Sequence, residues 1–182
     1  MKIKHLLLGI LITASYSTFA QKDITLEDIW ARPTFRQKNI QNLNWSQDGQ
    51  NYLELKDGKI IKYSILDPSK FEVLFDEAIH KTSSGETIRV QEFALSTDER
   101  SILIGTESEQ IYRRSSKENN FLFNRTNNTL KQLSTGGKQM HATLSPDGKR
   151  VAFVRDNNLF WTDVLTGKET AVTTSGKFNF II

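Results

Sequence analysis

The 182-residue sequence contains no cysteine, which excludes disulfides, thiolate metal sites and a cysteine nucleophile together. It has no apolar run of the roughly 20 residues needed to cross the hydrocarbon layer of a bilayer. Neither sign of charge dominates. Lys and Arg number 24 against 21 Asp and Glu, and the basic residues are scattered instead of forming a stripe, so nucleic acid is not an expected partner. A Walker loop and a paired-histidine metal motif are also missing, and no cofactor or metal is expected. With 37% hydrophobic and 25% charged residues the chain lies in the soluble globular range, and its stability must come from packing.

At the N-terminus, Lys2 and Lys4 precede an apolar run from Leu6 to Ile12, followed by small and hydroxyl residues up to Ala20. That is the pattern of a secretory signal. Residues 1–20 are read as the signal, and the chain from Gln21 as exported to the periplasm or outside the cell. Residues 21–36 make a separate segment. There, Thr25 with Asp28 three residues on forms a capping-box pattern, Leu26, Ile29 and Trp30 share one helical face, and Pro33 stops the helix. Such a helix serves either as a lid on the region that begins at residue 37 or as a docking element for a neighbouring domain.

Residues 37–182 are repetitive. Ser46, Ser96 and Ser145 lie 50 and 49 residues apart, and each is followed two residues later by Asp48, Asp98 or Asp147. A shift of 99 residues also aligns Gly49 with Gly148 and Asp57 with Asp156. In the third copy, Pro146 suits the second position of a type I turn and Gly148 the fourth. Strands are expected around Met140 to Leu144, Arg150 to Arg155, Leu159 to Val164 and Thr170 to Thr173, with a reversal at Asp156-Asn157-Asn158. Four short antiparallel strands at this period are the signature of propeller blades. The expected fold is therefore all-β: a partial β-propeller of about three four-stranded antiparallel blades, preceded by a short helix. A plain β-sandwich would give no reason for the corner to recur. Propellers close with four to eight blades, so three copies form an open arc, and the sequence reads as the beginning of a longer protein.

The middle copy is longer than the others by about eleven residues between its second and third strands, in the stretch EQIYRRSSKENN. Loops added to a repeat scaffold often carry binding residues, and Arg113 or Arg114 beside Tyr112 offers a planar fork of donors to a carbonyl or carboxylate. A solvated basic loop is the competing account. His80 and His141 are read as structural. The recurring aspartates serve their own turns, because copies on separate blades do not converge on one ligand.

Taken together, TLEDIW after a signal segment, the Ser-x-Asp corners, and YRRSS followed by FLFNRTNNTLKQLS resemble the N-terminal region of bacterial dipeptidyl peptidase IV, in the prolyl oligopeptidase family of serine peptidases. The resemblance implies an eight-bladed propeller, an α/β-hydrolase domain in cis, a helix that docks with the hydrolase, and the N-terminus of a peptide as substrate. It also allows a homodimer. It implies that Arg113 binds a substrate carbonyl, and it leaves Arg114, where the family often has His, without an assigned role. The family's Asp-Trp-x-Tyr-Glu-Glu segment and a Gly-x-Ser-x-Gly nucleophile elbow are not in these 182 residues. No catalytic residue is assigned, and the chain alone is expected to be inactive. Two functions are left: the propeller portion of an exported serine dipeptidyl peptidase, or a non-catalytic exported binding module that self-assembles or binds a partner.

Overall fold

The structure is a computed structural model that describes residues 23–35 and 43–177; the signal segment read at 1–20 lies outside the described residues. Residues 1–39 and 40–182 form two units. In the first, helix α1 spans Leu26–Trp30 and the capping box is present. The Asp28 backbone N–H donates to Thr25 Oγ1 at 3.2 Å, and the Thr25 N–H to Asp28 Oδ2 at 3.4 Å. Asp28 is buried, with the Arg32 guanidinium 3.4 Å away. Leu26, Ile29 and Trp30 are exposed, and a 3-10 turn at Pro33–Phe35 comes next. Among the described residues no helix is long and apolar enough to cross a membrane.

The second unit holds three four-stranded antiparallel sheets, each a simple meander. Blade 1 contains β1 (Asn44–Trp45), β2 (Asn51–Lys56), β3 (Lys59–Ser64) and β4 (Phe71–Asp76). Blade 2 contains β5 (Glu92–Leu95), β6 (Ser101–Tyr112), β7 (Ser115–Asn124) and β8 (Thr129–Gln132). Blade 3 contains β9 (Met140–Leu144), β10 (Arg150–Arg155), β11 (Asn158–Asp163) and β12 (Glu169–Ala171). The second and third strands of blades 1 and 3 are joined by two-residue turns, Asp57-Gly58 and Asp156-Asn157. All four of these residues have left-handed φ, as a twisted hairpin of this length requires.

Each recurring aspartate closes its own corner. Asp48 Oδ1 accepts from the Gln50 N–H at 2.8 Å, Asp98 Oδ1 from Arg100 at 3.1 Å and Asp147 Oδ1 from Lys149 at 3.1 Å. All three carboxyls lie below the ordinary aspartate range: Asp98 and Asp147 are held there first by the Ser96 and Ser145 hydroxyls and then by these backbone bonds, Asp48 first by its backbone bond and then by the Asn51 side chain. The fourth corner residue is left-handed in every copy: Gly49 at φ +63°, Glu99 at +56° and Gly148 at +68°. Glycine adopts that backbone without penalty, whereas glutamate does not.

What glutamate adds at the middle corner is a clamp between blades. Glu99 accepts from Ser46 Oγ at 2.6 Å and from Lys62 Nζ at 2.9 and 2.7 Å, both donors from blade 1. Burial works against its charge, but the Lys62 and Ser46 bonds outweigh it and leave the carboxyl below its usual range. Glu99→Ala is expected to destabilise the fold by about 1–3 kcal/mol, and Glu99→Gly by less, because glycine relieves the left-handed backbone. With a depressed folded-state pKa, the clamp contributes above the unfolded glutamate value of about 4.3 and is lost as pH falls through the folded value. The parent's advantage in denaturant midpoint should therefore be present at pH 7 and shrink in acid, while the difference between the Ala and Gly variants persists. An Ala variant as stable as the parent at pH 7 would mean that Glu99 does not clamp the two blades.

Strand alternation sends apolar side chains to both faces of blade 2. Ile102, Ile104 and Phe123 face blade 1 and join Leu53, Ile60 and Phe75 in one core. Leu103 and Leu122 point the other way and meet Val151 and Phe153 of blade 3. Blade 2 is thus a central slab, and the position of its long hairpin is set from both sides.

Candidate functional site, the long hairpin of blade 2

The extra residues of the middle copy do not form a loop. β6 runs on to Tyr112 and β7 begins at Ser115, so the insertion extends two paired strands beyond the blade. β5 pairs with β6 only as far as Gly105, and β8 with β7 only from Phe121. The intervening ribbon keeps its own register, with Glu109 opposite Lys117 and Gln110 opposite Ser116. Irregularities between Thr106 and Glu109 and between Gln110 and Tyr112 interrupt the ladder, and Glu107 has φ +50°. Such bulges bend and twist a ribbon and re-aim its end.

Arg113 and Arg114 form the turn at the tip. Both are exposed, and among the described residues neither guanidinium meets a carboxylate. The Gln110 side-chain amide braces the turn, donating to the Tyr112 carbonyl at 3.1 Å and the Arg113 carbonyl at 3.4 Å. Nearer the blade, Glu109 lies between Lys117 at 3.1 Å and Lys138 at 3.6 Å. The Lys117 bond, with the Lys138 charge behind it, keeps the Glu109 carboxyl low. Lys138 Nζ also donates to the Glu107 carbonyl at 2.7 Å, and Asn119 Nδ2 to Glu107 Oε2 at 2.7 Å. Each of these solvated contacts is weak by itself, but together they tie the ribbon to the segment that leads into blade 3. No sequence signal marked Gln110, Glu109 or Lys138, because their partners depend on the register of the ribbon and on a residue of another segment.

At the opposite face of the ribbon's base, Glu118 is half-buried. Burial, and then the neighbouring charge of Glu92, raises its carboxyl above the ordinary range. Gly105 makes room for it: a Cβ there would come within 2.6 Å of Glu118 Oε2.

The histidines lie apart from the tip. His80 belongs to the core between blades 1 and 2, where its Nδ1 accepts from the Asp76 N–H at 3.0 Å and its ring lies 4.5 Å from Phe123 and 5.0 Å from Phe75. His141 sits exposed in β9 at φ +54°, where β9 and β10 shift register. Among the described residues no group of three or more His, Cys, Asp or Glu is placed to hold a metal.

Three four-stranded meanders packed face to face define a partial β-propeller. Residues 96–182 match the family model described as the dipeptidyl peptidase IV N-terminal region. The crystal structure of Porphyromonas gingivalis dipeptidyl peptidase 4 superposes with a TM-score of 0.75 at 31% identity, over 87% of this chain and 23% of that one. Dipeptidyl aminopeptidase B of Saccharomyces cerevisiae is 26% identical over 129 residues, 70% of this chain and 15% of its own length. A probable dipeptidyl-aminopeptidase B of Grosmannia clavigera is 29% identical over 93 residues, 50% of this chain and 10% of its own. The resemblance drawn from the sequence is thereby borne out: the chain is similar to the N-terminal region of a dipeptidyl peptidase IV. It spans less than a quarter of the length of each of these relatives.

Proposed function

We propose that this chain is the propeller portion of an exported serine dipeptidyl peptidase, positioning the N-terminal end of a peptide while an α/β-hydrolase domain in cis carries out acyl transfer. The observation that carries the reading is the tip of the ribbon. A braced hairpin ends in two guanidiniums without carboxylate partners among the described residues, and the family resemblance puts the ligand for a substrate carbonyl at Arg113. A guanidinium on an anchored turn can donate charge-assisted bonds to such a carbonyl, and the brace removes the backbone's share of the ordering cost. Arg114 shares the turn and has no assigned contact. The signal segment and the docking of α1 on the hydrolase belong to the same proposal.

The protein encoded by the whole reading frame is expected to release the chromophore from a Gly-Pro anilide and to be silenced by a serine-reactive fluorophosphonate. Residues 21–182 alone should do neither. Turnover by the short chain that survives repurification would overturn this reading, as would a full-length product without a reactive serine.

One observation favours the binding-module reading. Trp45, Tyr52, Tyr63 and Phe71 form a ladder across all four strands of blade 1, with Trp45 and Phe71 largely exposed. A module of that kind would give an inactive full-length product that associates through this face.

A further inference from the structure

A cleft of about 600 Å³ opens where the ribbon leaves blade 2. Its floor is apolar, formed by Ile88 and by Phe121 packed on the core shared with blade 1. Its rim is polar and mixed in sign. Glu86 already accepts from Ser84 Oγ at 3.1 Å, and Glu107 from Asn119 Nδ2 at 2.7 Å. Arg89 is exposed, and among the described residues its guanidinium has no hydrogen-bond or ion-pair partner.

The volume falls within the roughly 300–1,000 Å³ of small-ligand sites. The two rim carboxylates disfavour a phosphate or polyanion. A free fork of donors beside carboxylate oxygens, above an apolar floor, matches a peptide main chain with an aliphatic side chain. We infer that the cleft holds an extended peptide segment, with Arg89 donating to a main-chain carbonyl and the side chain resting on Ile88 and Phe121. This rests on the proposed peptide-handling role of the ribbon and deepens it, adding a second contact at the foot of the arm that carries Arg113.

The test uses the ¹⁵N-labelled chain and N-acetyl-Ala-Leu-Ala-amide, a probe with neither a free amine nor a carboxylate. Saturable shifts are expected for amides within 86–91, 106–107 and 119–121. Arg89→Gln should weaken binding about tenfold, and Arg89→Lys by less, because it keeps the charge and loses the fork. N-acetyl-Gly-Gly-Gly-amide should bind at least about tenfold more weakly, having no side chain to bury. Lys168→Ala, which removes an exposed cation on blade 3, should leave the affinity unchanged, and preserved amide dispersion confirms that each variant is folded. No saturable shift at these amides, or an affinity indifferent to Arg89→Gln, overturns the inference. Loss with Arg113→Ala but not with Arg89→Gln would place the peptide at the tip and leave the peptidase reading standing. Cleft binding beside an inactive full-length product would sink that reading and keep this one.

Discussion

Phe123→Ala is expected to cost about 3–5 kcal/mol, the range for emptying a large aromatic from a packed core. Phe123 is 1% exposed and meets Phe75 edge-on, with ring centroids 5.1 Å apart. It also touches His80, whose ring is held in place by the Asp76 backbone. Truncation therefore leaves a void among partners that cannot collapse into it. A loss of this size consumes a large part of a typical domain's stability of about 5–15 kcal/mol. Phe123→Leu, which keeps most of the volume, should remain folded and allow a denaturant titration. The loss should also reach the hairpin, because Phe123 and Phe121 sit on the strand that continues to Ser115. Amide exchange across residues 107–119 should rise in the Leu variant while that of blade 3 stays slow. An Ala variant within about 1 kcal/mol of the parent would mean that blades 1 and 2 do not pack through this residue.

The parts of the fold that were legible in the sequence share one property: they are local. Ser-x-Asp corners, turn pairs such as Asp57-Gly58, and the short apolar strands between them write their geometry into a few adjacent residues. The third copy illustrates this, with β9 and β10 running over the expected residues and β11 within one of them. The ribbon was not legible as strand for a physical reason. Residues 107–114 are exposed on both faces, so nothing imposes the apolar alternation by which a half-buried strand is recognised. Its stretch of Ser, Glu, Gln, Lys and Asn reads as loop, and only the ladder reveals the strands. Glu99 is an intermediate case. A glutamate where two sibling corners carry glycine signals strain, but its compensation by Ser46 and Lys62 lies on another blade. The cleft was invisible for the same reason, since its walls come from segments a dozen or more residues apart.

On the proposed peptidase reading, Arg113→Ala in the full-length protein is expected to lower kcat/KM about ten- to a hundredfold, the loss of a charge-assisted bond worth roughly 1.5–3 kcal/mol. Arg113→Lys should fall between the parent and the alanine variant, because an ammonium keeps the charge but not the planar pair of donors. Arg114→Ala is the control. Its guanidinium shares the two-residue turn, the exposure and the charge, so a purely electrostatic contribution would lower kcat/KM equally at both positions. A directed contact separates them, because Gln110 fixes the Tyr112 and Arg113 carbonyls and with them the turn from which Arg113 projects. Raising the ionic strength adds a second criterion. It should erode a long-range field effect within a Debye length of about 10 Å at 0.1 M, while a desolvated bond to a bound carbonyl persists. Equal losses at the two arginines, both abolished by salt, would assign the tip a general attraction for substrate. No loss at Arg113 would return the ribbon's end to a solvated turn.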